Sequence, residues 1–163
     1  MGAGTSTRGG GFTLIELMIV ITILAVIMAI AIPNLVAARK SANEAAAIGH
    51  LKTISAAQTL FREADKDANG EFDFGTLAQL SAANLVDANL GSGKRTGYVY
   101  QTGASSVSAT FLWFAAANPA APGTTGDRYF CTNQRGQIFY TTSASITPNY
   151  TTCDTPPNMQ LVR

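Results

Sequence analysis

A single carboxylate, Glu16, sits inside an otherwise apolar run, FTLIELMIVITILAVIMAIAI, residues 12–32. Thr13 and Thr22 are the only other polar residues there. An acid in hydrocarbon costs several kcal/mol unless it meets a cation, accepts hydrogen bonds or takes up a proton. Glu16 therefore demands a partner. The chemistry it points to is charge pairing.

The other reactive residues are few. His50 stands alone, and no Ser/His/Asp set, Cys/His pair or zinc-type ligand cluster accompanies it. No glycine-rich phosphate loop follows a strand. Net charge is +1 with 13% charged residues, which gives no basic surplus for nucleic acid. These observations point away from an enzyme. The stretch DKDANGEFD sets Asp65, Asp67 and Asn69 at alternate positions, then Gly70, Glu71, Phe72 and Asp73. That spacing resembles the first nine positions of an EF-hand loop, with Glu71 offering its backbone carbonyl to calcium. Thr76 stands where a bidentate glutamate completes such a loop, so the expected affinity is weak. The alternative is a polar turn that ends a helix.

These residues must be positioned by larger elements. At ~1.5 Å per residue, a helix over 12–32 spans roughly one hydrocarbon core. A cleaved secretory signal carries its small residues after the apolar block. Here Gly9, Gly10 and Gly11 precede it. The apolar segment is therefore expected to be retained, with any cleavage on its polar side. Pro33 removes one backbone hydrogen bond and marks a kink, and helix formers then run from Leu35 to Ala64. Ile48, Leu51, Ile54, Ala57 and Phe61 recur at helical spacing, while Arg39, Lys40, Asn43, Glu44, Lys52 and Arg62 lie mainly off that stripe. One helix is thus apolar all round in its first half and amphipathic in its second.

Beyond it the composition shifts. Thr76 is placed to cap a short helix, LAQLSAANL. Residues 84–93 read as a connection. Strands are expected at 96–102, 106–117, 127–133 and 136–142, with TNQRGQ as a tight hairpin between the last two. Trp113 and the tyrosines read as sheet core. Short connections favour antiparallel pairing, so the predicted fold is α+β: a long helix on an antiparallel sheet of about four strands. The proline-bearing tail is expected to be irregular. Its NYT at 149–151 matches a glycosylation sequon by pattern alone.

The junction Gly-Phe-Thr-Leu-Ile-Glu, residues 11–16, followed by an apolar helix with Pro33, resembles the class III leader of type IV pilins and type II secretion pseudopilins. The resemblance is specific over residues 11–35. The leader departs from the family in having one basic residue, Arg8. Charge counting, Arg8 against Arg39 and Lys40, does not by itself orient the helix; the resemblance puts the N-terminus in the cytoplasm.

The resemblance implies that a prepilin peptidase cuts between Gly11 and Phe12 and methylates Phe12. It implies that Glu16 pairs with the terminal amine of a neighbouring subunit and sets register in a filament. It further implies a single-pass precursor in a bacterial inner membrane, an assembly platform there, and an extracellular homopolymer. The domains expected are a leader at 1–11, a membrane or filament-core half-helix at 12–34, an amphipathic half at 35–64 and a head at 65–163. In an exported head, Cys131 and Cys153 are expected to form a disulfide, a feature common in pilins. The leading reading is a type IV pilus subunit. A pseudopilin of a secretion or DNA-uptake machine is the close alternative. A non-polymerising, membrane-anchored calcium- or ligand-binding module is the other. Adhesion, twitching motility, secretion and DNA uptake share this N-terminus.

Overall fold

A computed structural model describes residues 11–106, 108–143, 145–147, 149, 152–153 and 159–162. The chain divides into two units, Met1–Ala37 and Ala38–Arg163. Helix α1, Leu14–Glu63, contributes to both and contains Pro33.

In the first unit, every described residue is exposed, up to 90% at Phe12. Its apolar side chains surround the helix on all sides, the pattern of an element meant for an apolar surround. It belongs to the one helix among the described residues that is long and apolar enough to cross a membrane.

The second unit is built on the rest of α1. Glu44, Ala47, Leu51, Ile54, Gln58 and Phe61 fall at alternating three- and four-residue steps and are all buried. That seam packs on a six-stranded antiparallel sheet, ordered β1 (Lys94–Arg95), β2 (Tyr98–Ala104), β3 (Trp113–Pro119), β4 (Tyr129–Asn133), β5 (Ile138–Thr141) and β6 (Gln160–Leu161). Alternation along β2 sends Tyr98, Tyr100 and Thr102 inward. Trp113, Ala115, Ala117, Phe130 and Ile138 join them in the main core. Two short helices, α2 (Leu77–Ala82) and α3 (Ala88–Gly91), bury Leu77, Leu80 and Leu90 in the same core. Thr76 caps α2 as expected, in a capping box with Gln79. Asp87 caps α3 within the stretch expected to be a plain connection.

The six strands exceed the four expected. β1 and β6 have two residues each, too short for a period to show in sequence. β3 starts at Trp113 because residues 108–112 form a turn, in which Leu112 donates to Ser108 O at 2.9 Å. The tail, expected to be irregular, returns as β6 and pairs Tyr140 with Gln160. The hairpin at 133–136 is as expected, closed by Gly136 N on Asn133 O at 2.9 Å, with Gly136 at φ +71°. The compact unit begins at Ala38 and so includes most of the helix half expected at 35–64.

Two polar side chains interrupt the seam, and both are satisfied. Gln58 Nε2 donates to Gly75 O at 2.6 Å and to Thr102 Oγ1 at 2.9 Å, while its Oε1 accepts from Gly75 N at 3.0 Å. Thr102 passes the connection on by donating to Phe114 O at 2.6 Å. Glu44, placed off the stripe by sequence, is buried. Its Oε1 accepts from Asp127 N at 2.8 Å and Arg128 N at 3.2 Å, and its Oε2 from Arg128 Nε at 2.6 Å. Lys40 pairs with Asp127 at 3.1 Å and Asn43 donates to Thr125 O at 2.9 Å, so one helix face holds the whole 125–128 loop. That loop passes so close to Tyr98 that a Cβ on Gly126 would overlap the Tyr98 hydroxyl.

His50 makes a further polar contact between α1 and the sheet, Nδ1 with the Tyr100 hydroxyl at 2.9 Å. Its pKa lies below the ordinary 6.5, first through desolvation and then through the Arg95 guanidinium, with Asp87 opposing. Desolvation pushes the Tyr100 hydroxyl well above the usual tyrosine value.

Two predictions follow from these contacts. Gln58→Leu keeps the volume but leaves the buried Gly75 peptide without partners. The expected loss is ~2–4 kcal/mol, read from thermal or denaturant unfolding of the detergent-solubilised chain. For His50 the folded state favours the neutral ring, so its contribution is complete above about 6.5 and is lost as pH falls from there through the lower folded-state value. His50→Gln should flatten the fall in melting temperature as pH drops below about 6.5. An unchanged slope would place that acid sensitivity elsewhere.

Candidate assembly site

Thr13 precedes the first helical residue, Leu14, and Glu16 lies three positions on. This is the T-x-x-E signature of a capping box. Thr13 N donates to Glu16 Oε2 at 3.0 Å, Thr13 Oγ1 donates to the same oxygen at 2.8 Å, and Glu16 N donates back to Thr13 Oγ1 at 3.3 Å. Two orphan backbone donors at the helix start are thereby satisfied. The third polar residue of the block, Thr22, donates to Met18 O at 2.7 Å. Each polar side chain of the apolar segment thus has an internal partner, as a hydrocarbon surround requires. Thr13's part in this was legible in the sequence through its spacing from Glu16, and was not drawn from it.

Gly11 and Phe12 lie outside α1, three and two residues before its start at Leu14, and both are exposed. A peptide bond there presents its backbone to a second molecule without helix being unwound. Phe12 is four residues before Glu16 in the chain. Pro33 sits inside α1 with helical backbone on either side.

In the head, Cys131 and Cys153 form a disulfide, with Cα atoms 5.6 Å apart across a sequence separation of 22. Both are buried, in a second apolar cluster with Ala116 and Ile146. Cys131 alternates with Phe130 along β4, so this cluster lies on the face of the sheet opposite the main core. Asn118 holds the tail by a two-way contact with Ile146, 3.0 Å in each direction, and Asn133 donates to Cys153 O at 2.9 Å.

The acidic turn closes on itself. Asp65 Oδ2 accepts from Gly70 N at 3.1 Å, Asp67 Oδ2 from the Asn69 amide at 3.1 Å, and Asn69 Oδ1 from Glu71 N at 2.6 Å. Asp65, Ala68 and Gly70 have positive φ, which tightens the turn. The Asp73 carboxyl is held above its usual range, first by desolvation, then by the charges of Asp67 and Glu71. Among the described residues no group of three or more His, Cys, Asp or Glu side chains is placed to hold a metal ion.

Comparison with known proteins bears on the N-terminal site. Residues 7–32 match the prokaryotic N-terminal methylation motif. The chain is 48% identical over 52 residues to the type IV wide pilus major component PilA4 of Thermus thermophilus, covering 32% of this chain and 40% of that one. It is 42% identical over 65 residues to the type IV major pilin protein PilA of Myxococcus xanthus, covering 40% of this chain and 29% of that one. The chain thus spans less than half the length of either relative. No solved structure matches it significantly. Over its N-terminal segment the chain is therefore similar to type IV pilins and carries the N-terminal methylation motif.

Proposed function

We propose that the chain is a structural subunit of an extracellular type IV pilus, not an enzyme. The carrying observation is the exposed apolar half of α1, with Glu16 in its first turn and four residues after Phe12. Such a surface needs an apolar surround twice, first as lipid and then as the helices of neighbouring subunits. A prepilin peptidase would remove residues 1–11 and methylate Phe12, and a membrane platform would extract the subunit from a bacterial inner membrane into the filament. Cleavage creates a cation at Phe12. Glu16 of a neighbour can neutralise it where water is excluded, which aligns successive helices. The names of the two relatives, both major pilus components, support the pilus over a secretion pseudopilin, and so does the Cys131–Cys153 bridge.

The direct test is mechanical shearing of producing cells. The chain should be abundant in the sheared filaments, with an intact mass that lacks residues 1–11 and carries one methyl group. A mass matching the full chain would refute the cleavage. Gly11→Val should block maturation by placing a branched side chain where the peptidase takes glycine.

Glu16 has two roles to separate, capping and charge. Glu16→Gln retains the capping box, because glutamine serves there as well as glutamate. Glu16→Leu removes cap and charge together. Both variants should be made, cleaved and membrane-bound, and both should lose filaments by roughly tenfold or more, on the scale of a lost buried charge pair. Wild-type filament yield from Glu16→Gln would reduce the carboxylate to a helix cap.

A further inference from the structure

Three side chains stand in a row across the last three strands of the sheet. The ladder sets Phe130 of β4 opposite Tyr140 of β5, and Tyr140 opposite Gln160 of β6. Directly opposed residues share a face, so all three project from the same side. The Arg128 guanidinium lies over the first two rings, 5.4 Å from the Phe130 centroid and 5.2 Å from that of Tyr140. The Tyr140 hydroxyl reaches the third member, donating to Gln160 Oε1 at 2.5 Å. Arg128, Tyr140 and Gln160, with Leu161 and Val162 beside them, line a cavity of about 530 Å³.

The hydrogen-bond inventory of this cavity is one-sided. Arg128 Nε donates to Glu44 Oε2 at 2.6 Å, and the other Glu44 oxygen is taken by two backbone N–H groups. The two Nη nitrogens of Arg128 have no hydrogen-bond or ion-pair partner among the described residues. Gln160 accepts from Tyr140 through Oε1, which leaves its Nε2 donors unmatched. No Asp or Glu is among the lining residues. The walls therefore offer a positive charge and N–H donors, beside the apolar surfaces of Leu161 and Val162. A guanidinium has no acceptor and keeps its proton, and its Nη edge is shaped to meet two oxygens of one oxyanion. Glu44 and the two rings hold that edge still, with the Arg128 side chain only 34% exposed, so little ordering remains for a ligand to impose. The volume is in the range of small-molecule sites.

We propose that the cavity bounded by Arg128, Tyr140 and Gln160 binds a phosphate group, with the Arg128 Nη edge and the Gln160 amide as donors. A phosphate monoester carries three unbridged oxygens, enough for both Nη nitrogens and the amide at once. A soluble phosphate ester and an anionic lipid headgroup present this same chemistry. The site lies within the compact unit, and it goes beyond the pilus reading without depending on it.

The test uses the full chain in neutral detergent, titrated with inorganic phosphate against sodium chloride at equal ionic strength. The melting temperature should rise saturably with phosphate, because a ligand of the folded state stabilises it by mass action. Gln160→Glu keeps an oxygen for Tyr140 but sets a carboxylate in the cavity wall, and should abolish the rise while the Cys131–Cys153 bridge still forms. Arg128→Lys keeps a cation for Glu44 and loses the Nη edge, and should weaken the apparent affinity by about tenfold or more. A second arm compares phosphatidylglycerol with phosphatidylcholine vesicles. Stabilisation by phosphatidylglycerol that Gln160→Glu abolishes would assign the site to a headgroup, and a response to soluble phosphate alone would assign it to a free phosphate ester. An equal rise in wild type and Gln160→Glu is what general exclusion of phosphate from the surface would give, and would overturn the site. No response in either arm, or an unchanged affinity in Arg128→Lys, would overturn it too.

Discussion

The head depends on a seam of α1 that is mostly apolar but contains two polar residues, Glu44 and Gln58. Either one unpartnered would cost more than the leucine it displaces contributes, because a buried amide or carboxylate loses its water. Each instead becomes a fastener. Gln58 matches the peptide of Gly75 donor to acceptor and acceptor to donor, so it fixes where the chain turns after the helix. Glu44 receives two backbone N–H groups and a guanidinium, so it fixes the loop that leads into β4. Apolar contacts alone would leave the helix able to slide by a turn along the sheet. These two hydrogen-bonded positions, four helical turns apart, permit a single register.

The sheet then has two faces with different means of cover. The helix face is closed by α1, α2 and α3. The opposite face is closed by the tail, through Ile146 and Cys153 against Ala116 and Cys131. A tail with so few apolar residues buries little surface, and chain entropy works against its docking. The disulfide removes part of that entropy from the unfolded chain, about 3 kcal/mol for a loop of this size in the chain-entropy model. Asn118 and Asn133 supply the specific hydrogen bonds, and β6 supplies a sheet edge.

Legibility in the sequence followed the range of the interaction. The long helix, the cap at Thr76, the hairpin at Gly136 and the central strands rest on local period or turn chemistry, and were readable. β1 and β6 rest on pairing partners and carry no local signal. Glu44 was misplaced because a charged residue near the edge of an apolar stripe reads as solvent-facing. Its burial depends on Arg128, 84 residues away, which no helical pattern reveals. The burial of Gln58 likewise rests on partners 17 and 44 residues away, Gly75 and Thr102. At the N-terminal site the residues were legible and one relationship was missed: the spacing of Thr13 and Glu16 is itself a capping box, whatever else the acid does.

That relationship bears on how one carboxylate would serve both a lone helix and the proposed filament. Both Thr13 donors use Oε2 of Glu16. A carboxylate has two oxygens and about four acceptor positions, so a cation can be met through Oε1 without loss of the cap. In the proposed filament the two partners would reinforce each other. The cap holds the side chain back over the first turn, against Thr13, and so reduces the rotamer freedom that pairing must remove. A long side chain immobilised before its partner arrives binds more tightly for the same contact. An aspartate, one methylene shorter, would reach neither partner from this position with the same geometry, and a glutamine would keep the cap while offering a neighbouring amine no charge.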